Sequence, residues 1–216
     1  MKKIISSLFG VSISYGITVN NETQEIKKLL DKLIPLIDNN DEIIVLQDVT
    51  NEDFEVTDIL KSYGNHIIRI TSCLDGDFAT FKNNLIKKAS KKYLFQLDAD
   101  ELPETSLINN VKTFLLIYFK RDVFLVPRIN IVNGITEEHI KKWDWNVTDN
   151  SFINYPDYQE RILKLNHKIS WINKVHEKLT GFKKLKRLPA KTSKYCILHE
   201  KNIKKQEVQN KFYESL

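Results

Sequence analysis

The sequence predicts an α/β fold: a mostly parallel central sheet flanked by helices, with a loop-rich C-terminal part. Three observations lead there. In the first half, short apolar or β-branched runs alternate with amphipathic segments about 12 residues long, the pattern of βαβ units. One run, Leu94-Phe95-Gln96-Leu97, ends in Asp98-Ala99-Asp100-Glu101, and acids just beyond a buried strand mark the sheet edge where open α/β folds bind ligands. Beyond Val132 the alternation gives way to an aromatic region with Trp143, Trp145, Tyr155, Tyr158 and Trp171.

The elements follow in order. Leu8 to Thr18 is apolar and β-branched and reads as the first strand, with Gly10 and Gly16 inside it. Asn21 suits a helix cap, with Gln24 three residues later, and Ile26, Leu29, Leu30, Leu33 and Ile37 recur at helical spacing. Glu42 to Val49 is a short apolar run that carries Asp48 near its end, so a buried strand is expected. A helix over Glu55 to Tyr63 stops at Gly64, and His66 to Thr71 is the next strand. Phe78, Phe81, Leu85, Ile86 and Ala89 mark another helix, which leads into the strand Tyr93 to Leu97. After Pro103, a Thr105/Ser106 cap opens a helix with Leu107, Ile108, Val111, Phe114 and Leu115 on one face. Val123 to Val132 is a longer strand. A Gln/Glu/Lys pattern from Lys201, with Val208 and Phe212, closes the chain as a helix. With no internal repeat or low-complexity linker, the expectation is one domain over residues 1–200 and a helical tail over 201–216.

Composition excludes several classes. With 216 residues and 42% hydrophobic positions, the chain can bury a full core and is not a disordered segment. Cys73 and Cys196 are too few for a disulfide framework or a Cys-rich zinc site. The longest apolar run, Phe114 to Phe119, has six residues against the ~20 that cross a bilayer, so no transmembrane segment is expected. Met1 to Phe9 lacks a small-x-small cleavage pattern and reads as the approach to the first strand, which makes a cytoplasmic protein the expectation. The formal charge of +5 is concentrated late, in Lys183, Lys184, Lys186 and Arg187 and again from Lys201 to Lys211. A solvated lysine-rich face accounts for it; the sharper reading is a surface for phosphates, nucleic acid or a membrane's anionic head groups.

Asp98 and Asp100 are the most informative pair. Hard oxygen ligands beyond a buried strand suit Mg2+ or Mn2+, and such an ion in turn holds a diphosphate. An EF-hand does not fit, because its sixth position would be Pro103 and its twelfth Asn109. The plain alternative is an acidic turn that caps the next helix. Two His-Glu pairs, His176-Glu177 and His199-Glu200, are not zinc-protease motifs, since Thr180 and Ile203 stand where the second His belongs.

Taken with their neighbours, these motifs resemble a family 2-type glycosyltransferase of the GT-A (nucleotide-diphospho-sugar transferase) fold. Ile43-Ile44-Val45-Leu46-Gln47-Asp48 is similar to the family's second strand, whose final acid meets the nucleotide. Phe78-Ala79-Thr80-Phe81-Lys82-Asn83 is similar to its small/aromatic-x-[RK]-N helix, and Phe95-Gln96-Leu97-Asp98-Ala99-Asp100-Glu101 to its FLDADE signature. Tyr155-Pro156-Asp157-Tyr158-Gln159-Glu160-Arg161 and Trp171-Ile172-Asn173-Lys174-Val175-His176-Glu177 resemble the R-[IL]-[FL] … W … VHE block of one bacterial and viral branch. The chain departs from the family after the first strand, where Ser12-Ile13-Ser14-Tyr15-Gly16 replaces P-x-[YF]-N-E.

The resemblance implies transfer of a sugar from a nucleotide-sugar donor, UDP-linked, to an acceptor hydroxyl with inversion. A glycan, a lipid-linked molecule or a protein is the expected acceptor, at a membrane surface or in the cytoplasm, and nucleic acid is not an expected partner. It assigns Mn2+ or Mg2+ to Asp100 with Asp98, with His199 completing the metal shell and His176 in reserve. Glu177 is the implied base, with Asp157 next in line. Lys82 is assigned to the diphosphate, Asp48 and Asn83 to the nucleoside, Tyr15 to stacking on the base, and Asp98 also to the donor. Two rival readings are a sugar-phosphate nucleotidyltransferase and a non-catalytic basic nucleic-acid-binding module on a degenerate transferase fold. The first calls for a glycine- and basic-rich loop after the first strand, and Ser14-Tyr15-Gly16-Ile17-Thr18 is not one. The second leaves Asp98, Asp100, His176, Glu177 and His199 as coincidence.

Overall fold

Alternation along the first strand sets the layering of the molecule. The structure, a computed structural model, describes residues 10–166 and 168–214, so the expected approach Met1 to Phe9 lies outside the described residues. In β1 (Ile13–Val19), Ile13, Tyr15, Ile17 and Val19 share one face, buried in the cluster with α1 (Thr23–Leu33) and α2 (Phe54–Ser62). Gly16 faces the opposite layer, against α3 (Phe78–Lys88). A Cβ there would stand 2.8 Å from Leu94 Cδ1 and 3.3 Å from Leu85 Cδ1, so the absence of a side chain lets α3 approach the sheet. Ile44, Leu46, Phe81, Leu85 and Leu94 fill that second layer. The fourth helix, α4 (Thr105–Ile117), buries Leu107, Ile108, Val111, Phe114 and Leu115 in the first layer.

The sheet is parallel where the sequence alternates. β1 lies between β2 (Glu42–Asp48) and β4 (Tyr93–Asp98), parallel to both, and β3 (Ile68–Ser72) extends the sheet beyond β2. Next to β4 comes an antiparallel strand, β7 (Ile153–Lys164), followed by β6 (Val123–Asn133), β11 (Ile197–Asn202) and β5 (Glu101–Pro103). β6 and β11 are parallel, so the carboxyl ends of β1, β2, β4, β6 and β11 share one edge. β8 (Ser170–Ile172) and β9 (Lys178–Thr180) form a separate hairpin against α3, and β10 (Leu185–Arg187) runs beside the start of β6. A short α5 (Glu137–Lys142) follows β6, and α6 (Ile203–Glu214) follows β11.

Several expectations shift. The first helix starts after Glu22, with no side-chain cap, and ends at Leu33; Leu36 and Ile37 instead turn back onto the Leu33 carbonyl. Ser106 does not cap α4, because its hydroxyl donates to the Lys194 carbonyl. The region expected to be loop-rich contains β7, one of the longest strands of the sheet. In α6, Val208 is 68% exposed, and the Phe212 side chain lies outside the described ones. The late basic cluster does not stand free: β10 holds Lys186 over the Tyr118 ring and Arg187 over Tyr158, at the start of β6 and away from the carboxyl edge. Among the described residues, no helix is long and apolar enough to cross a membrane.

Candidate active site

The turn between β4 and β5 is where the acidic motif acquires partners. Ala99 N–H donates to the Thr18 carbonyl at 2.9 Å, which carries the pairing with β1 into the turn. β5 then runs antiparallel to β11 with His199 opposite Glu101. That register brings His199 Nε2 to 3.5 Å from Asp100 Oδ2. The other ring nitrogen, Nδ1, lies 2.8 Å from Asn130 Oδ1, and Asn130 Nδ2 donates to Asp157 at 2.9 Å. The Asp157 bond fixes the amide, so Oδ1 accepts from His199 Nδ1–H and Nε2 is turned to the carboxylate. The two face each other across a gap that a proton on the ring or a metal ion can fill.

Asp98 has a different environment. Thr18 Oγ1 donates to its Oδ1 at 2.7 Å, and Arg161 Nη2 donates to its Oδ2 at 2.8 Å. Burial pushes this carboxyl up, but Arg161, Lys82 and the Thr18 bond outweigh it and hold it well below the usual carboxylate range. For Asp100, burial likewise raises the carboxyl, while His199 above all, with Lys201 and Lys205, brings it down to about 2. Both carboxylates are ionised at neutral pH. Arg161 also bonds Glu101 at 2.6 Å, and Arg128 links Glu101 to Asp157. An ionic network centred on the buried Arg161 and Glu101 therefore lies beneath the turn.

The expected four-residue metal group is not assembled. Among the described residues, no three His, Cys, Asp or Glu side chains gather closely enough to hold a metal ion. Asp98 has both oxygens engaged, and His176 lies in the turn between β8 and β9 with a left-handed backbone, φ 53°. What remains is Asp100 with His199. This pair fits Mg2+ or Mn2+ as such ions are held beside phosphates, by one or two side chains plus phosphate and water oxygens.

Glu177 and Lys82 meet as an ion pair across the cleft between α3 and the hairpin, with side chains 19% and 12% exposed. The Lys82 ammonium lies 5.2 Å from the Trp171 ring centre, and Trp171 Nε1 donates to Gln96 Oε1 at 3.1 Å. Lys82 also lowers the Asp98 carboxyl, so its ammonium lies within electrostatic reach of the acidic turn. Asn83 departs from its expected role, because both its amide atoms clamp the Trp171 backbone at 2.9 Å. Tyr15 departs too: it is 1% exposed, packed on Phe95 at 5.7 Å between ring centres, and faces Asp38 and Asp41 in the core. Asp157 is locked to Arg128, Asn130 and Gln159 and is not a free base. Asp48 closes the end of β2, its Oδ1 accepting from Thr50 and Leu74 N–H groups, while Oδ2 has a 3.4 Å contact from Asn20.

Arg128, Asn130, Gln96 and Lys205 were not singled out from the sequence. For Arg128 and Gln96 a signal existed: a polar residue in the middle of an otherwise apolar strand.

This architecture, a mostly parallel sheet with the acidic turn at its carboxyl edge, is the GT-A glycosyltransferase fold. No family model matches the chain. It is 27% identical over 168 residues to the SPbeta prophage-derived glycosyltransferase SunS of Bacillus subtilis (strain 168), and equally to glycosyltransferase SunS of Bacillus phage SPbeta. The match covers 77% of this chain and 34% of theirs, so the chain spans about a third of the length of the curated relatives it matches. Among solved structures, S. aureus TarS 1-349 superposes with a TM-score of 0.60 at 15% identity, covering 88% of this chain and 60% of that one. The same protein in complex with UDP-GlcNAc superposes with a TM-score of 0.60 at 15% identity, over 88% of this chain and 58% of that one. Its complex with UDP gives 0.60 at 16% identity, over 88% and 60%.

Proposed function

We propose that this chain is a metal-dependent glycosyltransferase domain that transfers a sugar from a UDP-sugar to an acceptor hydroxyl with inversion at the anomeric carbon. The observation that carries the reading is the convergence of Asp100 and His199, 3.5 Å apart, at the carboxyl edge of the sheet. The likeness to SunS, a glycosyltransferase by name, and to the fold of TarS, seen with UDP-GlcNAc, supports the donor class.

Asp100 and His199 would hold Mn2+ or Mg2+. Bound there, the ion supplies neutralisation of the charge that builds on the leaving diphosphate. Asp98, fixed by Thr18 and Arg161, faces the donor as an ionised carboxylate. Asp48 offers its less engaged oxygen, Oδ2, to the nucleoside. Glu177 takes the proton from the acceptor hydroxyl as that oxygen bonds to the anomeric carbon and the bond to the diphosphate oxygen breaks on the opposite face. General-base assistance of this kind contributes roughly 10²–10⁴-fold. Lys82, paired with Glu177 and stacked near Trp171, orients this carboxylate.

A panel of UDP-sugars incubated with the protein and Mn2+ tests the reading. UDP release from at least one sugar, together with thermal stabilisation by UDP, is the expected result. Neither effect with any member of the panel contradicts it.

A further inference from the structure

Helix α6 leaves the site directly from the strand that carries His199, and among its described side chains the docking contacts are mostly polar. Lys205 N–H is capped by Asn202 Oδ1 at 2.8 Å, and His139 Nε2 lies 3.4 Å from Glu207. Ile203 packs over Gly134, and Val208 is 68% exposed.

From this helix Lys205 reaches back into the acidic turn. Its ammonium lies 3.4 Å from Asp100 Oδ2, the same oxygen that faces His199, and 3.9 Å from both Glu22 and Glu25. Each separation exceeds the ~2.8 Å of a tight charge-assisted hydrogen bond. The cation is thus shared among three carboxylates and fixed by none. It also stands where a divalent ion on Asp100 and His199 would repel it, and within reach of any diphosphate bound to that ion. Lysine suits such an exchange, being a point charge with rotatable donors on a flexible stem.

We propose that Lys205 is an exchangeable counter-ion of the donor site. Without nucleotide it neutralises Asp100 in competition with the divalent ion; with donor bound it leaves Asp100 and pairs with the diphosphate. The inference rests on the donor reading above and adds a diphosphate-binding residue to it, delivered by the C-terminal helix.

The exchange predicts opposite signs for two affinities, which distinguishes it from a structural role. Calorimetric titrations of the full chain would measure Mn2+ alone, and UDP and uridine at saturating Mn2+, for wild type, Lys205→Gln and Lys205→Arg. Loss of the competitor should tighten Mn2+ binding in Lys205→Gln several-fold. Loss of the phosphate partner should weaken UDP about tenfold or more, as expected for a hydrogen bond to a charged group, and leave uridine unchanged. Lys205→Arg should keep most of the UDP affinity. Unchanged UDP affinity in Lys205→Gln, weaker Mn2+ binding, or an equal loss for uridine overturns the proposal while wild-type UDP binding leaves the donor reading standing. If wild type binds no UDP, the donor reading falls and this inference with it.

Discussion

The guanidinium of Arg161 is bonded to the carboxylate of Glu101 at 2.6 Å, with their side chains 5% and 0% exposed. The pair sits under the turn that carries Asp98 and Asp100, and Arg161 reaches Asp98 through the same nitrogen at 2.8 Å. The antiparallel strand β7 thereby fixes the loop that the parallel strands present.

Arg161→Met should therefore unfold the protein more readily, because it removes the closer of the two guanidinium partners of the buried Glu101 carboxylate and the partner of Asp98. Removing one partner of such a pair costs about 3–5 kcal/mol. Urea titration at neutral pH measures it. A loss below about 1 kcal/mol would show that Arg128 alone satisfies Glu101.

Acid should weaken the same network. Despite its burial, the Asp157 carboxyl is held below its ordinary value by Arg128, Asn130 and Gln159. A folded-state pKa below the unfolded value gives stability that is present above about pH 4 and lost as pH falls through the folded value. Stability of the wild type should fall in that range, and Asp157→Asn should show a shallower acid slope. Parallel slopes for the two proteins would assign the acid loss elsewhere.

Gly16→Ala tests the layering. The added Cβ would meet Leu94 Cδ1 at 2.8 Å between β1 and α3, an overpacking that typically costs about 1–3 kcal/mol. A thermal melt with no shift would mean that the Leu94 side chain yields freely.

Much of this architecture is legible in the sequence, and the parts that are not have physical reasons. The alternation of apolar runs with amphipathic helices gives β1 to β4 and α1 to α4 within a few residues, because β1, β2 and β4 are buried on both faces. β7 escapes detection because its sequence, Ile153-Asn154-Tyr155-Pro156-Asp157-Tyr158-Gln159-Glu160-Arg161, places charges in the sheet that only cross-strand partners satisfy. β11 is too short and too polar to stand out. At the site, Asp100 and His199 lie 3.5 Å apart, and Glu177 and Lys82 form an ion pair. Tyr15 and Asn83 were misread because residue type alone does not tell a ligand contact from a core ring or a backbone clamp.

Glu177→Gln separates proton transfer from donor binding. The amide keeps the size of the carboxylate but cannot take the acceptor's proton, so transfer should fall by ~10²-fold or more while UDP affinity holds. A lowered melting temperature with an intact rate per folded molecule would make the Lys82 pair structural.

The most direct test of the account compares Mn2+-dependent hydrolysis of a UDP-sugar by wild type and Asp100→Ala. Asp100 lies in a turn at the sheet edge, so the variant should keep its fold by circular dichroism. The account expects Mn2+-dependent UDP release from wild type and none above background from Asp100→Ala. Hydrolysis by Asp100→Ala at the wild-type rate, with EDTA present, would contradict it.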